Sequence, residues 1–133
     1  MRNKLICLII ILCLSLCFIP LQLFGTTISC YKRIPFGEFK LTAYCPCCDC
    51  SEDYYIETAT GTTAKQGRTI AVDPDVIPFG SQVLIGDTLY IAEDCGGRVV
   101  GDTVDIYFDK HEDVERFGVK YANIWIIEGE WEQ

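Results

Sequence analysis

The hydrophobic positions of this chain follow two rhythms. Residues 5–24 are uncharged and almost wholly apolar. From residue 36 onward the apolar positions alternate with polar ones, the period of half-buried strands. Residues 36–44, FGEFKLTAY, put Phe39, Leu41 and Ala43 in phase. Residues 68–73, RTIAVD, predict a short strand that ends at a Pro74-Asp75 turn. Residues 81–86 and 88–94 predict a hairpin around Gly86-Asp87, of type I′ or II′. Residues 103–108 set Val104, Ile106 and Phe108 on one face and Thr103, Asp105 and Tyr107 on the other. Residues 119–127 end the pattern, with Ala122, Ile124 and Ile126 together. One helix is predicted between the last two strands, with Asp109 as N-cap, Glu112 completing a capping box and Gly118 as the stop. Residues 51–67 are polar and rich in glycine and threonine and predict a loop. Six short strands, glycine turns and one helix predict a mainly β domain, a small closed or nearly closed barrel.

The stretch 91–108, IAEDCGGRVVGDTVDIYF, organises this pattern. Asp94 and Asp105 stand at the two ends of a loop that carries Gly96-Gly97, a pair expected to supply backbone freedom. The strand phase turns Asp105 away from the aliphatic face, where it can keep company with Asp94 and still meet a ligand. Two solvated turn acids would produce the same spacing.

The apolar run changes the picture of where the domain works. Arg2 and Lys4 precede it, and about 20 residues suffice to cross a bilayer. Residues 1–29 are therefore read as a signal peptide or a membrane anchor, 30–38 as a linker, 39–128 as the domain and 129–133 as a tail. Positive charge at the start puts the domain on the far side of the membrane, in the cell envelope, either anchored or secreted. The formal charge is −8, and −10 without Arg2 and Lys4. That surface argues against nucleic acid and is compatible with a neutral polymer such as a glycan. A monomer is expected.

Nine cysteines are many for 133 residues. Cys7, Cys13 and Cys17 lie in the apolar run, where they act as small hydrophobes. Cys30, Cys45, Cys47, Cys48, Cys50 and Cys95 remain, an even set beyond an export signal, and they are disulfide candidates. The CPCCDC run at 45–50 could instead hold a metal, but one tetrahedral zinc would need a very cramped loop. Disulfides are favoured, and no metal or cofactor is expected. No phosphate-binding loop, dinucleotide fingerprint, HExxH or GxSxG occurs in the chain. His111, the single histidine, is placed at the surface in the first turn of the predicted helix.

Several segments in fixed order resemble the bacterial three-aspartate (3D) domain family. That family is related to the C-terminal part of the membrane-bound lytic transglycosylase A family. The segments are TAYC at 42–45, TATG at 58–61, GRTIAVDPDVIPFG at 67–80, AEDCGGRVVGDTVDIYF at 92–108 and HEDVERFG at 111–118. The namesake aspartates map to Asp73, Asp94 and Asp105. Two departures stand out: Cys95 where the family has threonine, and Val100 where it often has lysine, with Arg98 nearby. Cys95 could tie the CPCCDC cluster onto the site.

The resemblance implies a six-stranded double-psi β-barrel and cleavage of peptidoglycan strands by lytic transglycosylation, within cell-wall remodelling. It makes Asp105 the catalytic acid. Asp73, Asp94, Gly96, Gly97, Tyr44 and Thr60 then support it or bind substrate. The partners implied are peptidoglycan glycan strands, and the membrane if the N-terminal segment stays attached. Two other readings stay open. One is a non-catalytic module that binds cell-wall glycan. The other is a divalent-metal site built from the three aspartates.

Overall fold

Alternation along each strand decides what fills the interior. In a computed structural model of the chain, the described residues are 31–47 and 56–129. Residues 1–29, expected as a signal peptide or anchor, and Cys30, Cys48 and Cys50 lie outside them. The strands are β1 (Lys32–Tyr44), β2 (Thr69–Val72), β3 (Gln82–Ile85), β4 (Thr88–Asp94), β5 (Thr103–Tyr107) and β6 (Lys120–Glu128), with one helix, α1 (His111–Phe117), before β6. Phe39 and Leu41 of β1, Ile70 and Val72 of β2, Val83 of β3, Ala92 of β4, Val104 and Ile106 of β5 and Ile124 of β6 meet in one buried cluster, joined by Ile77 from the loop after β2. Burying each aliphatic side chain contributes about 1.5–3 kcal/mol, so the inward phase is strongly specified.

The strands close into a barrel in the order β1-β5-β2-β4-β3-β6, with β6 returning to β1. Two neighbouring pairs are parallel, β1 with β5 and β2 with β4. Closure leaves no sheet edge and matches the six-stranded barrel expected. β3 and β4 form a hairpin with Ile85 opposite Thr88. Only Gly86 of its two turn residues has positive φ, at 60°, which selects type II′ over I′.

Two predicted boundaries shift. β1 starts at Lys32, so residues 32–38, expected as a linker, belong to the barrel wall. Pro35 and Gly37 argue against a strand in isolation. Here the register against β6 shifts between them, and Gly37 takes φ 130°, so a bulge absorbs both residues. The helix N-cap is Lys110, not Asp109, and no side chain caps it. Asp109 stands one residue too early, and its backbone N–H is taken by Gln66 Oε1 at 3.0 Å. The predicted capping box is therefore absent. The C-terminal stop at Gly118 is as expected, with φ 63°.

β2 is buried along its whole length. On its outer face Thr69 donates to Glu93 Oε2 at 2.9 Å, and Arg68 Nη2 pairs with Glu93 Oε1 at 2.6 Å. Glu93 itself is only 4% exposed. A carboxylate that deep is tolerated because these groups satisfy it. Removing Arg68 would strand it. We expect Arg68→Met to lower the unfolding free energy by about 2 kcal/mol, below the roughly 3–5 kcal/mol of a fully buried pair, because Arg68 is partly open to solvent. Urea denaturation of the variant beside the parent chain measures this.

Candidate functional site

Strand register assembles the site from residues far apart in sequence. β1 and β5 run parallel with Thr42 beside Asp105. β5 and β2 run antiparallel with Asp105 beside Ala71. β2 and β4 run parallel, and Ala71 is paired with Asp94. Thr42, Asp105, Ala71 and Asp94 thus form one row across the outer wall. The last step depends on a bulge. Ile70 pairs with Ala92 and the next residue, Ala71, with Asp94, so Glu93 is skipped. The bulge re-aims the chain, and Asp94 joins the row while Glu93 turns to Arg68.

Each acid has its own environment. Thr42 Oγ1 donates to Asp105 Oδ1 at 2.7 Å. Burial pushes the Asp105 carboxyl above its ordinary value of 3.8, and the Asp94 charge adds to the rise. The Thr42 hydrogen bond and the Arg98 charge work against it. The balance is upward because desolvation disfavours the charged form most. Asp94 accepts from three donors: the Tyr44 hydroxyl at 2.7 Å, the Ala59 N–H at 3.0 Å and the Cys95 N–H at 2.9 Å. Burial and the bond to Asp94 hold the Tyr44 hydroxyl well above the ordinary phenol range. Tyr44 also packs edge-on against Tyr107, with centroids 5.4 Å apart. A groove of about 350 Å³ opens beside Asp105, lined also by Lys40, Thr42, Ala43, Tyr44, Arg98, Val99 and Thr103. Asp105 is the one carboxylate in that lining.

The other residues singled out from sequence take distinct places. Asp73 accepts from the Asp75 N–H at 3.0 Å and the Gly101 N–H at 2.8 Å. It anchors the loop that carries Arg98 and Val99. Both of its oxygens accept from backbone N–H groups. Among the described residues the three aspartates do not gather into a metal-ligating group, which corrects that alternative. Gly96 and Gly97 lie in a turn closed by the Val99 N–H on the Gly96 carbonyl at 2.9 Å, and neither has positive φ. The left-handed position in this loop is Gly101, at φ 62°. Thr60 is exposed, and its hydroxyl meets Thr58 and Thr62, not an aspartate. Its neighbour Ala59 supplies the N–H to Asp94.

Three residues gained weight only in space. Thr42 lay in a quoted segment, but its pairing with Asp105 spans 63 positions. Ala71 matters because it is small and lies between the acids. Arg98 lines the groove, while Val100 is 66% exposed.

Cys45, Cys47 and Cys95 are the cysteine candidates among the described residues. Cys95 is exposed and in no disulfide. Cys45 and Cys47 are not joined to each other, their sulfurs lying 3.1 Å apart.

The fold and site define a small closed β-barrel that presents a half-buried carboxyl in an outer-wall groove. Residues 68–128 match the family described as the 3D domain. It is 38% identical over 91 residues to the putative cell wall shaping protein YabE of Bacillus subtilis, a match covering 65% of this chain and 21% of that protein. It is 35% identical over 74 residues to the cell wall-binding protein YocH of the same organism, covering 53% of this chain and 26% of that one. The chain thus spans about a fifth to a quarter of these relatives. Among solved structures, MltA from E. coli superposes with a TM-score of 0.50 at 24% identity, over 56% of this chain and 28% of MltA. That likeness is one of fold.

The raised Asp105 pKa has a consequence for stability. The folded state holds the Asp105 proton more tightly than the unfolded chain does. Stability from this group is full below 3.8 and is lost as pH rises through the higher folded value. Asp105→Asn keeps an oxygen to accept from Thr42 and removes the charge. We expect it to match the parent's melting temperature in acid and to exceed it increasingly toward neutral pH. Thermal scans across that range check the sign.

Proposed function

We propose that the chain cleaves cell-wall glycan as a lytic transglycosylase, with Asp105 as its acid and base. One observation carries the reading: the groove has a single carboxyl, half-buried, with its proton favoured by burial. Glycoside hydrolysis ordinarily takes two carboxyls, one to protonate and one to attack or activate water. A substrate that carries its own nucleophile needs one. Protonated Asp105 donates to the oxygen of the β-1,4 bond between N-acetylmuramic acid and N-acetylglucosamine. As that bond breaks, the muramic acid 6-hydroxyl attacks the anomeric carbon. Asp105, now a carboxylate, takes the hydroxyl proton. The product ends in a 1,6-anhydro sugar and no water is consumed. The internal nucleophile contributes effective molarity.

The remaining residues fit supporting parts. Thr42 orients Asp105. Asp94 holds Tyr44 at the groove and keeps a negative charge near the acid. Lys40 and Arg98 offer hydrogen-bond donors to sugar hydroxyls and N-acetyl groups. Arg98 also opposes the rise in the Asp105 pKa, so the acid remains able to give up its proton. Two relatives are named for shaping or binding the cell wall, which supports an extracytoplasmic site of action. A membrane-attached or secreted form follows from residues 1–29.

A second reading is a module that binds wall glycan without cutting it. The relative named a cell wall-binding protein favours it, as does the shallow basic rim of the groove. The two readings separate in one digest. The full chain, purified in detergent, is incubated with peptidoglycan beside Asp105→Asn, and soluble products are weighed by mass spectrometry. Products lighter by one water than hydrolysis yields, and lost in the variant, are expected. Water-added products would overturn the one-carboxyl mechanism. Sedimentation with sacculi and no soluble product would favour the binding module.

A further inference from the structure

The mechanism leaves unused a second cluster, where the end of β1 meets the start of α1. Cys45 Sγ and Cys47 Sγ lie 3.1 Å apart. His111 Nδ1 is 3.3 Å from Cys47 Sγ and 3.6 Å from Cys45 Sγ. All three atoms fall within 4.8 Å of one another, although 64 or more positions separate the histidine from the thiols. We propose that Cys45, Cys47 and His111 are ligands for a soft divalent cation of the zinc class, held for structure and not for catalysis.

The geometry fits that ion. With Zn–S near about 2.3 Å and Zn–N near about 2.0–2.1 Å, tetrahedral edges come to about 3.8 Å between sulfurs and about 3.5 Å between sulfur and nitrogen. The two sulfur–nitrogen distances bracket that edge. The sulfurs need to open by some tenths of an ångström. Two thiols and an imidazole select zinc-like ions over calcium or magnesium, which take oxygen. The other ring nitrogen, Nε2, lies 3.7 Å from Glu115 Oε1, one turn further along α1. That contact is longer than a hydrogen bond, and it puts a carboxylate on the side of the ring where the outer partner of a metal-bound imidazole sits. Cys45 is buried, and Cys47 and His111 are half-buried, so the site is shielded yet can be entered.

The position explains what the ion would do. α1 is seven residues long, buries none of them fully and has no side-chain N-cap. Such a helix is marginal by itself. An ion at its first residue would tie it to β1. Cys45 directly follows Tyr44, whose carbonyl accepts the Phe108 N–H at 2.9 Å. The same ion would therefore hold the strand end that presents Tyr44 to Asp94. The cramped loop that argued against zinc is relieved, because the imidazole comes from another element. Cys48 and Cys50 lie outside the described residues and are no part of the proposal.

Cobalt(II) reports thiolate ligation directly. The full chain is purified in detergent, reduced, stripped of metal and titrated with cobalt(II). We expect a thiolate-to-cobalt charge-transfer band with the visible bands of a tetrahedral site, displaced by zinc. Cys47→Ser should weaken the charge-transfer band. His111→Gln should shift the visible bands and weaken binding by roughly tenfold or more. Asp105→Asn should bind cobalt as the parent does, which separates this site from the glycan groove. Circular dichroism confirms that each variant is folded. Should a variant not fold, the parent decides: zinc should raise its melting temperature and a chelator should reverse the rise. No charge-transfer band, a spectrum unchanged by His111→Gln, or a melting temperature indifferent to zinc would overturn the proposal.

Discussion

The register of β5 against its two neighbours is the constraint on which the rest of the site depends. Asp105 has Thr42 on one side and Ala71 on the other because the strands are pinned by their inward aliphatic residues. A slip of one residue would send Val104 and Ile106 outward and Asp105 into the core. The core therefore specifies the site: the same packing that stabilises the barrel sets the hydroxyl and the carboxyl 2.7 Å apart. Two bulges refine this. One lets β1 carry Pro35 and Gly37 without leaving the wall, and the other places Asp94, not Glu93, beside Ala71.

Asp73, Asp94 and Asp105 differ by environment. Asp105 has one hydrogen-bond donor, a groove and enough burial to favour its proton. Asp94 has three donors and a fixed tyrosine. Asp73 is absorbed by backbone N–H groups and shapes the loop that carries Arg98. Residues of one chemical type thus take three different environments, and the proposed mechanism uses only Asp105 as the acid. That division favours a mechanism with one reacting carboxyl, and it is also what a glycan-binding groove would keep if chemistry were lost.

The cysteines show what geometry adds to compartment reasoning. An even count beyond a hydrophobic leader argues for bridges. The fold adds a histidine to Cys45 and Cys47. The helix that lacks a side-chain cap is the element such a cluster would secure.

Much was legible in the sequence because it is local. Alternation placed the strands, the glycine after the helix marked its stop, and the phase of Val104, Ile106 and Phe108 turned Asp105 off the core. The Gly86-Asp87 pair marked the hairpin, although the choice of II′ over I′ needed the backbone angles. Tertiary structure decided what pairs with what. Thr42 beside Asp105, Ala71 between two acids, and His111 against Cys45 and Cys47 are contacts between elements 20 to 60 or more residues apart, and parallel pairing leaves no local trace. The start of β1 was hidden because Pro35 and Gly37 oppose a strand in isolation and are accepted only where a bulge against β6 accommodates them. The N-cap was missed for a related reason: Asp109 has the right chemistry, but the turn entering the helix puts Lys110 at that position. Sequence thus determined the phase of each element and its chemistry, and closure of the barrel determined which of those chemistries meet.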